Sequence, residues 1–121
     1  MAMAVQAIPA RVLSRLFKAL GDETRVRIVG LLSHGELCVC HIEDALGISQ
    51  PNASRQLSVL RAAGVVDSRR EGSWVYYRLA SQADELCKRQ LTELARGFAK
   101  HEVLKRDVER LLRAKGPGAC T

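Results

Sequence analysis

No run of apolar residues in this sequence approaches the roughly 20 that a membrane-spanning helix needs, because Arg, Lys, Asp or Glu interrupts the chain every few positions. The opening stretch, MAMAVQAIPA, has no basic region ahead of its short apolar run. No secretory signal is therefore expected, and a cytoplasmic location is. A Ser-His-Asp set, a phosphate-binding glycine loop and a closed catalytic metal site are also missing, and with them the grounds for expecting an enzyme or a constitutive cofactor. Internal repeats and low-complexity tracts are absent. Acidic residues are in deficit, 13 against 19 Lys plus Arg, for a net charge of +6 and an isoelectric point near 9.6. That balance favours a polyanionic partner, nucleic acid or an anionic membrane surface. A length of 121 residues suits one domain. In a reducing compartment the four cysteines are candidates for metal binding, redox sensing or plain packing rather than for a disulfide framework.

What the chain does have is clear punctuation. Pro9 can open a first helix carrying Val12, Leu13, Leu16, Phe17 and Leu20 at helical spacing until Gly21 stops it. Asp22 caps a second helix, DETRVRIVGLL, whose Val26, Val29 and Leu32 line one face. A third, short helix runs from Cys38 or Val39 to Leu46 and ends at Gly47. Ser49 as N-cap and Pro51 in the first turn then begin a fourth, which reaches Ala63 before Gly64. Two short helices about a tight glycine turn make a helix-turn-helix. VVDSRR and SWVYYRL predict a β-hairpin from Val65 to Leu79 with its turn at Glu71-Gly72. The expected fold is thus mainly α with a β-hairpin wing, a winged helix-turn-helix.

A last helix is expected from Ser81 to Asp84 onward to about Ala114, with an apolar stripe that includes Cys87, Leu91, Phe98, His101, Leu104 and Leu111. A small domain does not easily cover so long a seam, so a homodimer through the first and last helices is expected. Residues 1–115 then form one DNA-binding and dimerisation domain, and 116–121 a flexible tail bearing Cys120.

On the fourth helix Ala53, Leu57 and Leu60 share the inward face, which turns small and polar residues outward. Gln50, Asn52, Ser54 and Arg55 lie at its N-terminal end, the end that meets bases in this motif, and Ser58 follows on the same side. Arg, Asn and Gln carry the donor and acceptor sets that read guanine and adenine edges in double-stranded DNA. Arg69, Arg70 and Arg78 sit on or beside the wing, within reach of phosphates or the minor groove. Trp74 and one of the two tyrosines are expected to complete hairpin packing.

The stretches FKALGDETRVRIVGLL, GELCVCHIEDALGISQPNASRQLSVLRAAGVV and REGSWVYYRL, spanning Leu16 to Leu79, together resemble the ArsR/SmtB family of winged-helix repressors. ELCVC resembles its arsenic-responsive branch. The resemblance implies a homodimer that holds operator DNA when free and releases it on binding a metal or metalloid. Cys38 and Cys40 match the first two thiols of a three-cysteine motif whose third position here is Glu43. Other members hold zinc, nickel or cobalt between their last helices through D-x-H and H-x-x-H or H-x-x-E spacings. Here Asp84 is followed by Leu86, and the only histidine on that helix is His101, which is expected to pack or to sit in the dimer interface.

Thiolates two positions apart on a helix point about 200° away from each other. Cys38 and Cys40 are therefore expected to grip one ion only if the first turn of the third helix unwinds or kinks, which would displace the recognition helix behind it. The start of a helix and a protonated His41 both favour the reactive thiolate form. Thiolates select soft ions, As(III) and Sb(III) among them. A third donor could be Cys120, Cys87, Glu43 or an external thiol. The expected function is a metalloid-responsive repressor. A thiol-based redox or persulfide-responsive repressor of the same fold is the alternative, with Cys38 or Cys40 pairing with Cys120 on oxidation. An architectural winged helix with inert cysteines is the third reading.

Overall fold

A computed structural model describes residues 10–82 and 84–114. The expected tail at 116–121, Cys120 and Pro9 lie outside the described residues. Four helices come first in the chain, α1 (Ala10–Ala19), α2 (Glu23–Leu32), α3 (Val39–Leu46) and α4 (Gln50–Ala62), with a short strand β1 (Leu37–Cys38) ahead of α3. The strands β2 (Val66–Glu71) and β3 (Trp74–Leu79) follow, then α5 (Glu85–Phe98) and α6 (Glu102–Ala114). The caps fall where the sequence places them: the Asp22 carboxylate accepts from Arg25 N, and the Ser49 hydroxyl from Asn52 N. Gly47, at φ +66°, closes α3 in the left-handed conformation that side chains rarely adopt.

The structure revises the expected wing in two ways. It is a three-stranded antiparallel sheet in the order β1-β3-β2, because Leu37 and Cys38 pair with Tyr77 and Tyr76. The hairpin turn is also one residue later than predicted. Glu71 pairs with Trp74, so Gly72 and Ser73 form the loop, with Gly72 at φ +62° and no non-glycine residue at positive φ among the described residues. Glycine at the first central position fits a type II′ hairpin.

The largest departure is at the end of the chain. Instead of one helix to Ala114, the structure has two. After Phe98 the backbone tightens through Lys100 N to Gly97 O and His101 N to Phe98 O, and α6 begins with Lys105 N donating to His101 O. Gly97 weakens the helix there, and the break lets α6 fold back onto α3 and α2. Leu104 and Leu111 are buried by that return. So is Asp107, whose carboxylate receives Arg27 Nε at 2.9 Å and Nη2 at 2.7 Å. The chain therefore covers by itself part of the seam that was expected to need a second copy. Still exposed are Phe17 on α1, Leu86 on α5 and Leu112 on α6. Glu23, Arg27, Leu94, Phe98, His101 and Leu104 help line a groove of about 580 Å³ between α2, α5 and α6.

The core is apolar and continuous. Ile28, Leu31, Leu37, Ile42, Leu57 and Leu60 are its largest fully buried members. Burying such side chains stabilises the fold by about 1.5–3 kcal/mol each. Leu57 and Leu60 thereby fix the rotation of α4, and hence which of its residues face outward.

Candidate nucleic-acid interface and thiol site

Ala53, Leu57 and Leu60 of α4 are fully buried. Arg55 and Ser58 are exposed on the opposite side, Gln50 is exposed as the first residue of the helix, and Asn52 and Ser54 are half-buried. The structure thus carries all five expected readers on a single helix, and none of them is in the core. They are linked: Gln50 Nε2 donates to Ser54 Oγ at 2.6 Å, and Arg55 Nη2 to Asn52 Oδ1 at 3.3 Å. Two residues that the sequence reading missed stand behind them. Arg25 of α2 donates through Nη1 to Gln56 Oε1 at 2.8 Å, and Gln56 Nε2 donates to Asn52 Oδ1 at 3.1 Å. The one-turn spacing of Gln56 and Asn52 was a local signal for their pairing. Arg25 lies 31 positions from Gln56, and no pattern in the sequence announces that contact.

The three wing arginines separate. Arg69 is committed within the protein: Nε and Nη2 grip the Glu36 carboxylate at 2.9 and 2.7 Å, and Nη1 meets Glu71 Oε2 at 2.6 Å. Its guanidinium also lies 4.6 Å from the centre of the Tyr76 ring. Hydrogen bonding to Glu36 raises the Arg69 pKa further above its already high ordinary value, and the same contact holds the Glu36 carboxyl below the usual carboxylate range. Arg78 is exposed and only loosely engaged, at 3.9 Å from Asp67. Arg70 is exposed and has no ion pair among the described residues, so it is the wing cation best placed for a phosphate. Trp74 is 38% exposed near the wing tip, against expectation, whereas Tyr77 packs against the core.

Cys38 is not helical, contrary to one premise of the sequence reading. It is the N-cap of α3 and the end of β1, with extended backbone at φ −70° and ψ 149°. The 200° divergence of a helical pair does not apply, and the Cys38 and Cys40 sulfurs lie 3.0 Å apart with α3 intact. No unwinding is needed to bring them together. Cys38 is fully buried and Cys40 half-buried. Glu43, one turn on, is half-buried, and burial, with Asp44 adding to it, pushes its carboxyl above the ordinary 4.5. Cys87 is buried in the core, and burial first, then Asp84, pushes its thiol up. That environment suits packing better than ligation. The Asp84 carboxylate caps α5, accepting from Leu86 N and Cys87 N. His41 is buried, and His101, expected to pack or to sit in the dimer interface, is exposed on this chain at the α5-α6 corner. Among the described residues no three His, Cys, Asp or Glu side chains cluster as a metal site, and no helix is long and apolar enough to cross a membrane.

Residues 22–68 match the family model described as bacterial regulatory protein, arsR family. The arsenic resistance transcriptional regulator ArsR1 of Pseudomonas putida is 40% identical over 129 aligned residues, covering 98% of this chain and 99% of that protein. The arsenical resistance operon repressor of Escherichia coli K12 is 55% identical over 67 residues, 54% of this chain and 57% of its own length. Among solved structures, a homodimeric winged helix-turn-helix DNA-binding domain from Mycobacterium bovis superposes with a TM-score of 0.63 at 33% identity. That match covers 82% of this chain and 93% of the other.

Proposed function

The chain belongs to the arsR family of DNA-binding transcription regulators, not to an enzyme family, and we propose that it represses transcription until Cys38 and Cys40 capture trivalent arsenic or antimony. One observation carries the proposal: the two sulfurs converge to 3.0 Å, Cys38 fixed by strand pairing and Cys40 half-open to solvent. Cys40 is disulfide-bonded in this structure; once reduced, two thiolates at that spacing can share one soft ion, and thiolates favour soft ions over magnesium or calcium. The arsenic-resistance role in the names of two relatives supports the same ligand class. The third donor is Cys120, Glu43 or an external thiol, since Cys87 is packed in the core.

The coupling to DNA runs through the sheet rather than through unwinding of α3. Cys38, Tyr76 and Arg69 occupy one cross-strand row, and Glu36, two residues before Cys38, holds Arg69 on the wing. α3, which carries Cys40, packs directly on α4. An ion that shifts Cys38 against Cys40 therefore moves wing and recognition helix relative to each other. Allosteric couplings of about 1–3 kcal/mol, a 5- to 150-fold loss of operator affinity, are typical and enough for derepression.

The proposal also includes a homodimer on an imperfect inverted repeat in the cytoplasm, with α1 and the last helices at its interface and residues 1–115 as one domain. The exposed Phe17 and Leu112 support that interface.

The test is operator binding by fluorescence anisotropy, titrated separately with arsenite, antimonite, cadmium, zinc and peroxide. Arsenite and antimonite should release the DNA. Cys38→Ser and Cys40→Ser should each bind DNA and keep it in arsenite. A double variant that still lets go would sink the thiol mechanism. A disulfide at Cys40 favours a second reading, a thiol-redox repressor in which oxidation by a peroxide ties Cys38 or Cys40 to Cys120. Release by peroxide with no response to arsenite would select it.

A further inference from the structure

An asparagine amide has one end that accepts hydrogen bonds and one that donates, and at an exposed helix face nothing usually decides which end points outward. On α4 something does. A guanidinium carries donors only. Arg25 is held by its own Nε, which donates to Ala19 O at 2.6 Å, and it aims Nη1 at Gln56 Oε1. The oxygen of Gln56 must therefore face Arg25, which leaves its Nε2 to face Asn52 and to donate to Oδ1 at 3.1 Å. Arg55, again a donor only, reaches the same Oδ1 from the other side at 3.3 Å. A carbonyl oxygen has two lone pairs, and both are now engaged. Turning the Asn52 amide over would set its N–H groups against those of Gln56 and Arg55. The Gln50 to Ser54 contact lacks this property, because a hydroxyl donates as readily as it accepts.

We infer that Asn52 meets operator DNA as a donor-only side chain, and so selects a keto base, guanine or thymine, on the strand it contacts. Guanine offers two adjacent acceptors, O6 and N7, and thymine O4; adenine offers N7 alone, beside an amino donor that repels the amide N–H groups, and cytosine presents only its amino donor. The two-bond adenine contact usual for asparagine needs a free Oδ1 to accept from the adenine amino group, and that oxygen is already saturated. Arg25 and Gln56 are positioning residues: they act through Asn52 and touch no base. The inference rests on α4 being the helix that enters the major groove.

The test uses the full chain and an operator selected from randomised duplex DNA, with all four bases then placed at every half-site position and affinities read by fluorescence anisotropy. At the position where Asn52→Ala erases base preference, the wild type should favour guanine or thymine by about 5-fold for each hydrogen bond gained. Gln56→Glu offers acceptors to both Arg25 and Asn52, turns the amide over, and should move the preference at that one position to adenine or cytosine. Arg25→Lys keeps a donor and should keep the wild-type preference. A wild-type preference for adenine or cytosine there overturns the inference, as does Gln56→Glu weakening every sequence equally or Asn52→Ala leaving every preference intact. A wild type with no base preference anywhere would overturn the groove assignment of α4 itself, and the inference with it.

Discussion

Arg27→Met should destabilise the domain more than Asp107→Asn, although the two residues form one ion pair. The contact is bidentate, at 2.9 and 2.7 Å, and ties α6 to α2 across 80 positions of sequence. The partners differ in what happens when they are left alone. The Asp107 side chain is 2% exposed and that of Arg27 21%. Removing the guanidinium strands a carboxylate out of reach of water, and uncompensated buried charges cost about 3–5 kcal/mol. Removing the negative charge leaves a guanidinium with a fifth of its surface in water and an amide oxygen still able to accept from it, a loss of about 1–2 kcal/mol. Replacing both, Arg27→Met with Asp107→Leu, takes away the desolvation cost along with the attraction and should come within about 1 kcal/mol of the wild type or above it. Urea unfolding followed by far-ultraviolet circular dichroism would measure this, at one fixed protein concentration because dimerisation adds to apparent stability. Equal costs for the two single changes, or a double variant as unstable as their sum, would refute the reasoning.

Arg55→Ala should relax base discrimination by about 1–3 kcal/mol. Arg70→Ala should weaken all sequences alike and reduce the log–log salt slope by about 0.9. Equal losses of specific and non-specific affinity in Arg55→Ala would make it a phosphate contact. Glu36→Gln loosens Arg69 from β1 and should leave arsenite uptake intact while reducing arsenite-driven DNA release, read by anisotropy beside a thiolate absorbance titration; unchanged release would remove the wing from the coupling path. Burial raises the Glu43 carboxyl above 4.5, so just above that pH the folded chain keeps a proton that the unfolded chain has lost. Its contribution to stability is full below pH 4.5 and is lost as pH rises through the raised value. Glu43→Gln should therefore flatten the stability curve above pH 4.5 and stabilise slightly at neutral pH, and an unaltered slope would show that Glu43 is not the titrating group.

Much of the fold was legible because it is written locally. Asp22 and Ser49 are caps in both sequence and structure, and the inward set on α4 follows from spacing alone. The continuous last helix was a reasonable reading of an apolar stripe, since steps of three and four persist through Phe98, His101 and Leu104. It failed because the stripe does not encode its partner. Two short helices meeting at a corner can bury the same residues as one long helix against a second chain. What favours the corner is Asp107 reaching Arg27, a contact between residues that are unremarkable on their own helices. β1 went unseen for a related reason: with two residues and no alternation to show, it exists only because β3 is there to pair with it.

The candidate site divides along the same line. That Cys38 and Cys40 lie close in space, and that Arg55 and Ser58 face outward, could be read from positions. How each group is disposed could not. The boundary between β1 and α3 falls between Cys38 and Val39, and that single step changes the pair from two divergent helical thiols to sulfurs 3.0 Å apart. Under the proposed function, a site of the first kind would have to melt a helix turn to bind, while one of the second kind would leave α3 intact once Cys40 is reduced, and its signal would pass through what Cys38 is paired to. The same holds for Asn52. Its name in the sequence permits an adenine contact, and only the donor supplied by Arg25, through Gln56, decides which face of the amide remains to be read.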